Sequence, residues 1–248
     1  MRRPGSTTVA VPPGRGRGTA GLAGSRRGRR RGARPKGLAA PALAAVGLFA
    51  SPLARAHHML DGATPGSLLE GFVSGIAHPF IGLDHFFFLL TVGMLLVDCP
   101  PRLRLDAAAA LAVGILAGVI AAVSGLVVPL AGLYCVLTLI GAGAAALSMR
   151  DVRRSPLVGL VGFAALFHGF ALAAAVVGCE PTPLIAYLVG LSITAGVVVL
   201  GVGILAAALA TGFDGDFPRR SRCWTGVAAV AIGNLMLLTT FAGAGSAG

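Results

Sequence analysis

Residues 69–97 read LEGFVSGIAHPFIGLDHFFFLLTVGMLLV, and only Glu70, His78, Asp84 and His85 among them are ionisable. A bilayer core of about 30 Å needs roughly 20 apolar residues as helix, so this stretch can span one with residues to spare. It shows no two-residue alternation of the kind a membrane barrel strand requires. Five more apolar stretches follow, at approximately 107–128, 130–149, 156–178, 183–211 and 224–243, separated by charges and prolines. The expected fold is therefore all-α: a polytopic membrane bundle of about six transmembrane helices, with a lipid bilayer as its partner. Composition agrees. Of 248 residues, 56% are hydrophobic and 12% charged, about half the charge that a soluble domain needs to coat its surface.

The formal charge of +11 is confined to one end. Residues 1–36 carry eleven basic groups and no acid, whereas residues 37–248 carry nine arginines and nine acids. A basic nucleic-acid-binding domain is thereby excluded, leaving an RNA-binding arm as the only reading of that kind. The organisation expected is a basic disordered leader over 1–36, a signal-peptide apolar region and cleavage site over 37–56, and a bundle domain over 57–248. Ala54-Arg55-Ala56 supplies the A-x-A site, so cleavage after Ala56 would leave His57 as the mature terminus. Without cleavage, 38–54 would become a short anchor.

The connections orient the spans. Arg102 and Arg104, then Arg150, Arg153 and Arg154, then Arg219, Arg220 and Arg222 fall in alternate loops, and the loops between carry no Lys or Arg. Positive loops stay in the cytoplasm, so both mature termini are expected outside it, in a bacterial-type inner membrane. Gly141-Ala-Gly143, Gly159-x-x-Gly162 and Gly201-x-Gly203 are expected to let helices approach closely.

An ionisable side chain at membrane depth is costly unless paired or hydrated, which makes each one a functional candidate. Three fall together in His78-Pro79-Phe80-Ile81-Gly82-Leu83-Asp84-His85. On an unbroken helix His78 and His85 share a face but stand ~10 Å apart, too far to hold one ion. Pro79 and Gly82 both favour an interruption, so the first helix is expected to break near them and to gather His78, Asp84 and His85 around a cation. Two imidazoles and a carboxylate suit Ni²⁺, Co²⁺, Zn²⁺ or Cu²⁺. The alternative is a kinked helix whose His78 bonds a carbonyl while Asp84 and His85 pair.

Beyond the cluster, His168 in span four either completes the coordination or packs as a satisfied histidine. Glu180, before Pro181-Thr182-Pro183, is either a carboxylate at the outer mouth or a solvated loop acid. His57, His58 and Asp61 form a metal-capturing terminus or a merely polar tail. Asn234, Thr239 and Thr240 read as interhelical hydrogen-bonding groups. The four cysteines form no C-x-x-C pair, none lies in the His/Asp cluster, and a Cys135–Cys179 disulfide is conceivable. No Walker, G-x-S-x-G or H-E-x-x-H sequence is present, so transport would be passive, ion-coupled or served by another subunit.

His78-Pro-x-x-Gly-x-Asp-His85 in a first span, behind a signal peptide and a His-bearing start, resembles the HupE/UreJ family of nickel/cobalt permeases. The likeness extends to His57-His-Met-Leu-Asp-Gly-Ala-Thr-Pro65, Phe167-His168-Gly169 and Gly178-Cys-Glu180-Pro-Thr-Pro183, and covers most of residues 57–200. It implies His78, Asp84 and His85 as central metal-handling residues, with His168 and Glu180 secondary. It also implies an association with hydrogenase or urease maturation proteins. The chain departs from the family where Leu172, Ala173 and Ala174 replace its further polar residues. The function expected is secondary, ATP-independent uptake of Ni²⁺ first and Co²⁺ next, with Zn²⁺ and Cu²⁺ behind them. A non-transporting metal-binding accessory or sensor is the alternative. Enzymatic action is not expected; an intramembrane zinc hydrolase would lack a well-placed base, since Glu70 lies eight residues before His78.

Overall fold

The computed structural model describes residues 64–148, 154–210 and 217–245, and every regular element among them is helical. The basic leader, the signal region with its cleavage site, His57, His58, Asp61, Arg150 and Arg153 lie outside the described residues.

Helix α1 spans Leu68–Ile81. Its start is written in Ser67-Leu-Leu-Glu70: the Glu70 N–H donates to Ser67 Oγ at 3.2 Å, and the Gly66 N–H donates to Glu70 Oε2 at 2.8 Å. This reciprocal cap satisfies one first-turn amide, that of Glu70, and the amide of Gly66 just ahead of the N-cap. Glu70 is thus an exposed capping group at the helix entrance, not a polar residue stranded in the span. Pro79 stays inside α1, and the chain turns at Gly82, which is extended (φ −82°, ψ 113°). Helix α2, Leu83–Leu95, restarts there at 79° to α1.

Five longer helices follow: α3 (Pro101–Val123), α4 (Ala131–Ser148), α5 (Arg154–Leu172, continued by a 3-10 turn at Ala173–Ala175), α6 (Pro181–Ala210) and α7 (Phe217–Gly245). Each is long and apolar enough to cross a membrane, and the bent α1–α2 pair makes a sixth candidate. Contacts with α6 favour counting that pair as one crossing. Gly71 packs on Pro183, Gly75 on Tyr187, and Gly93 on Val199 and Val202. The pair therefore runs beside α6 in the same direction and advances ~24 Å along it, most of a hydrocarbon core. Helices α3 and α5 also run alike, Gly114 facing Gly162 and Gly118 facing Leu166 and Gly169. By contrast α4 and α7 oppose one another, with Gly143 against Gly226 and Ile140 against Gly233. These directions are those of six alternating spans, and the chain is a multi-pass membrane protein.

The helices overrun the hydropathic stretches mainly at the arginine-bearing ends. α3 begins at Pro101 and α7 at Phe217, so Arg102, Arg104, Arg219, Arg220 and Arg222 sit on helical turns. Hydropathy marks where hydrocarbon ends, whereas the backbone keeps its hydrogen bonds into the interface. Two of these arginines brace the end of α2. Arg104 donates to the Cys99 and Val97 carbonyls at 2.8 and 2.5 Å, and Arg222 pairs with Asp98 at 3.3 Å.

Close approach occurs at only some of the expected glycines. Gly143 and Gly162 face neighbouring helices, but Gly141, Gly159 and Gly201 face open space. The tightest contacts are instead at Gly71 and Gly75 and at Gly114, Gly118 and Gly169, where an added Cβ would strike a neighbour's backbone carbonyl. Asn234, Thr239 and Thr240 do not bridge helices as expected; they donate to Val230 and Met236 carbonyls of their own α7.

Gly114→Val should therefore destabilise the bundle by about 1–3 kcal/mol through overpacking. Gly141→Val, at an exposed position, should leave thermal denaturation in detergent unchanged, and equal losses in both would contradict this packing.

Candidate metal centre

The break at Gly82 aims the start of α2 into the bundle, with Asp84 and His85 on its first turn. Gly82 leaves room for both side chains: a Cβ would lie 2.7 Å from the His85 ring and 2.9 Å from Asp84 Oδ1, so one or both would have to shift. The unpaired amides of a first helical turn favour an anion, so the position suits a buried carboxylate. Asp84 is the only buried carboxylate among the described residues.

His168 faces this turn from α5 and is 1% exposed. Its Nδ1 lies 2.8 Å from His85 Nδ1, and Asp84 Oδ2 lies 3.7 Å from that same His85 nitrogen. Phe88, one turn on from Asp84 and His85, stacks on the His168 ring at 4.0 Å between centroids. Gly169, next in sequence, lets α5 sit against Ile115 and Gly118 of α3, where a Cβ would strike the Ile115 carbonyl. Phe-His-Gly thus places an imidazole inward and clamps its helix from behind.

Helix α4 closes the third side. Thr138 Oγ1 lies 3.1 Å from His168 Nε2 and donates to the Cys135 carbonyl at 2.9 Å. A carbonyl can only accept, so both contacts are hydrogen bonds only when His168 Nε2 carries the proton and Thr138 accepts it. The Nδ1 lone pair of His168 then points at His85. Cys135 donates its thiol to the Phe167 carbonyl at 3.1 Å. The ligating atoms of His85, His168 and Cys135 all fall within 4.8 Å of one another. Beside them lies a cavity of about 10 Å³ lined by Pro79, His85, Phe88, Leu89, Ile115, His168 and Leu172, about the space of one water.

His78 stands next to this group. The bend brings its ring to 6.5 Å from that of His85, and it meets Tyr187 edge-on at 6.1 Å. Tyr187, fully buried on α6, donates its hydroxyl to the Leu172 carbonyl at 2.9 Å and so ties α6 to the end of α5. Glu180 is exposed ahead of α6, its carbonyl accepting from the Leu184 N–H at 3.2 Å. Cys135 and Cys179 are both free thiols. The sequence does not mark Cys135 or Thr138 as part of the site, because neither is charged. Their signal is a polar pair three residues apart, hence on one helical face, in an otherwise apolar span.

The α4 and α5 members of the cluster lie near the arginine-free ends of their helices, while Asp84 and His85 sit at the bend within the α1–α2 crossing. Cys135 and Thr138 follow the start of α4 by one to two turns, and His168 precedes the end of α5 by one. Towards the arginine-bearing ends the interior is mostly apolar, filled by Phe88, Val92, Leu96, Leu111 and Leu139, all at most 2% exposed, with the buried Thr91 hydroxyl bonded back to the Phe87 carbonyl.

The family model described as HupE / UreJ protein matches residues 43–236, which take in α1 through α6 and most of α7. No curated protein and no solved structure matches the chain.

Gly82→Ala should push the His85 ring and Asp84 off their positions and part the two imidazoles. With ¹⁵N-labelled histidine, the downfield N–H resonance expected of the His85–His168 contact should vanish in Gly82→Ala. Its survival would mean that the glycine is not what makes room for the pair.

Proposed function

The chain belongs to the HupE / UreJ family, and from that premise we propose that it is a secondary permease taking up a divalent transition metal, Ni²⁺ first and Co²⁺ second. The bacterial-type inner membrane is its site, and its orientation follows the arginine asymmetry, with the polar cluster towards the outside. The carrying observation is the buried pair of imidazoles, His85 and His168, with Asp84 beside them. Two nitrogens bound to one ion at about 2.0–2.1 Å stand about 3.0–3.4 Å apart. The 2.8 Å pair therefore needs to open by only a few tenths of an ångström to admit an ion. Asp84 supplies the charge that makes a divalent guest tolerable there. His78 stands close enough to hand an ion on or to complete the set. Glu180, His57, His58 and Asp61 would gather ions at the outer face.

The direction of traffic follows from where the polar groups end. An ion arriving from the arginine-free side meets the histidines after one to two helical turns, and beyond them an apolar seal. Release inward then requires α2 and its neighbours to part, which suits a carrier better than an open pore.

The narrowness of that cavity favours a second reading, in which the protein holds metal for hydrogenase or urease maturation proteins without moving it. Reconstitution separates the two: a metal-sensitive dye inside liposomes reports flux for a permease and stays silent for an accessory.

Cells expressing His85→Ala, His168→Ala or Asp84→Ala at matched protein levels should accumulate at least about tenfold less Ni²⁺ than cells with the wild type. Wild-type accumulation in all three variants would sink the proposal.

A further inference from the structure

We propose that Cys135 is a ligand of the same ion, its sulfur acting as a thiolate third donor beside His85 and His168. This inference rests on the metal-handling reading above and adds a donor from the third span, outside the His-Asp sequence cluster.

The first support is position. Cys135 is 0% exposed, and its Sγ shares a 4.8 Å neighbourhood with the ligating nitrogens of both histidines. Its thiol already reaches across the α4–α5 seam to the carbonyl of Phe167, the residue preceding His168. One turn further along α4, Thr138 holds His168 with its Nδ1 lone pair turned inward. The same helical face thus offers a donor atom and fixes the tautomer of its neighbour.

The second support is charge. A divalent ion surrounded by apolar helices is costly unless its charge is matched. Asp84, the only buried carboxylate among the described residues, matches half of it. The turn after His168 offers no acid, being Leu172, Ala173 and Ala174. His78, His85 and His168 bring no negative charge. Among the described residues Cys135 is the group within reach of both imidazoles that can: thiolate, carboxylate and M²⁺ together sum to zero.

The exchange balances without a redox step. The ion arrives carrying water; the S–H bond breaks as the S–metal bond forms, and the proton leaves with the displaced hydration water. The metal stays divalent throughout. A sulfur donor also makes the set softer than two imidazoles and a carboxylate alone, favouring Co²⁺, Ni²⁺ and Zn²⁺ over Mg²⁺ and Ca²⁺.

Co²⁺ added to the purified full-length protein in detergent is the probe, because its visible bands report any coordination while thiolate-to-cobalt charge transfer in the near ultraviolet reports sulfur. Wild type should show both sets. The Cys99→Ser/Cys179→Ser/Cys223→Ser protein, which retains only Cys135, should keep the near-ultraviolet band. Cys135→Ser should lose that band and bind Co²⁺ at least about tenfold more weakly. Should Cys135→Ser fail to fold, the protein retaining only Cys135 decides the matter alone. Visible bands without charge transfer in wild type would overturn the cysteine ligand and leave the histidine site standing, as would charge transfer surviving in Cys135→Ser. Absence of any Co²⁺ or Ni²⁺ binding by wild type would overturn this inference together with the function it rests on.

Discussion

The contact between the Nδ1 atoms of His85 and His168, 2.8 Å apart inside an apolar bundle, constrains the helices around it. Two imidazoles removed from water must find partners or destabilise the fold, and here each helps satisfy the other. That contact exists only because several local devices agree. Gly82 ends α1 and leaves room where any Cβ would strike the His85 ring; Gly169 lets α5 sit against α3; Thr138 takes the far nitrogen of His168; Phe88 covers its face. Removing the 79° break would carry His85 and Asp84 away on a continuing helix and leave His168 Nδ1 without its His85 contact. The bend is thus part of the site as much as the side chains are.

The spans were legible because desolvation acts on every residue in turn. A run of apolar side chains long enough for the bilayer announces itself without knowledge of its neighbours, and arginines between runs set the count. Helix ends were less legible, since Arg102, Arg104 and Arg222 lie at an interface where a helix continues after hydropathy has fallen. Packing was the least legible. Gly141 and Gly143 look alike in sequence, yet one faces open space and the other Gly226, because facing depends on which helix lies opposite.

The site divides along the same line. Asp84 and His85 were readable from spacing and from the rarity of ionisable groups at depth. His168 stood out as an isolated histidine, but nothing local tied it to His85, eighty-three residues away. Cys135 and Thr138 were invisible to a search for charge, since both are neutral and common in membrane helices. Local sequence exposes what a residue costs in hydrocarbon. It does not expose who shares that cost, which is a property of the assembled bundle.

An asymmetry along the membrane normal follows from these contacts. Helix α2 is held at its start by polar contacts of His85 and Asp84, and at its end by Arg104 on the Val97 and Cys99 carbonyls and Arg222 on Asp98. Between these ends Phe88, Leu89, Val92 and Leu96 form a packed, mostly apolar surface, interrupted by the buried Thr91 hydroxyl. Packed apolar interiors are close-fitting and do not open by degrees. A path from the polar cluster to the arginine-bearing face would therefore require α2 to shift as a body against α4, α6 and α7, not one side chain to rotate. Gly82, with no side chain at the bend, is where such a shift would be taken up under the proposed transport role. A guest ion would have to part His85 from His168 and so would push directly on the first turn of α2.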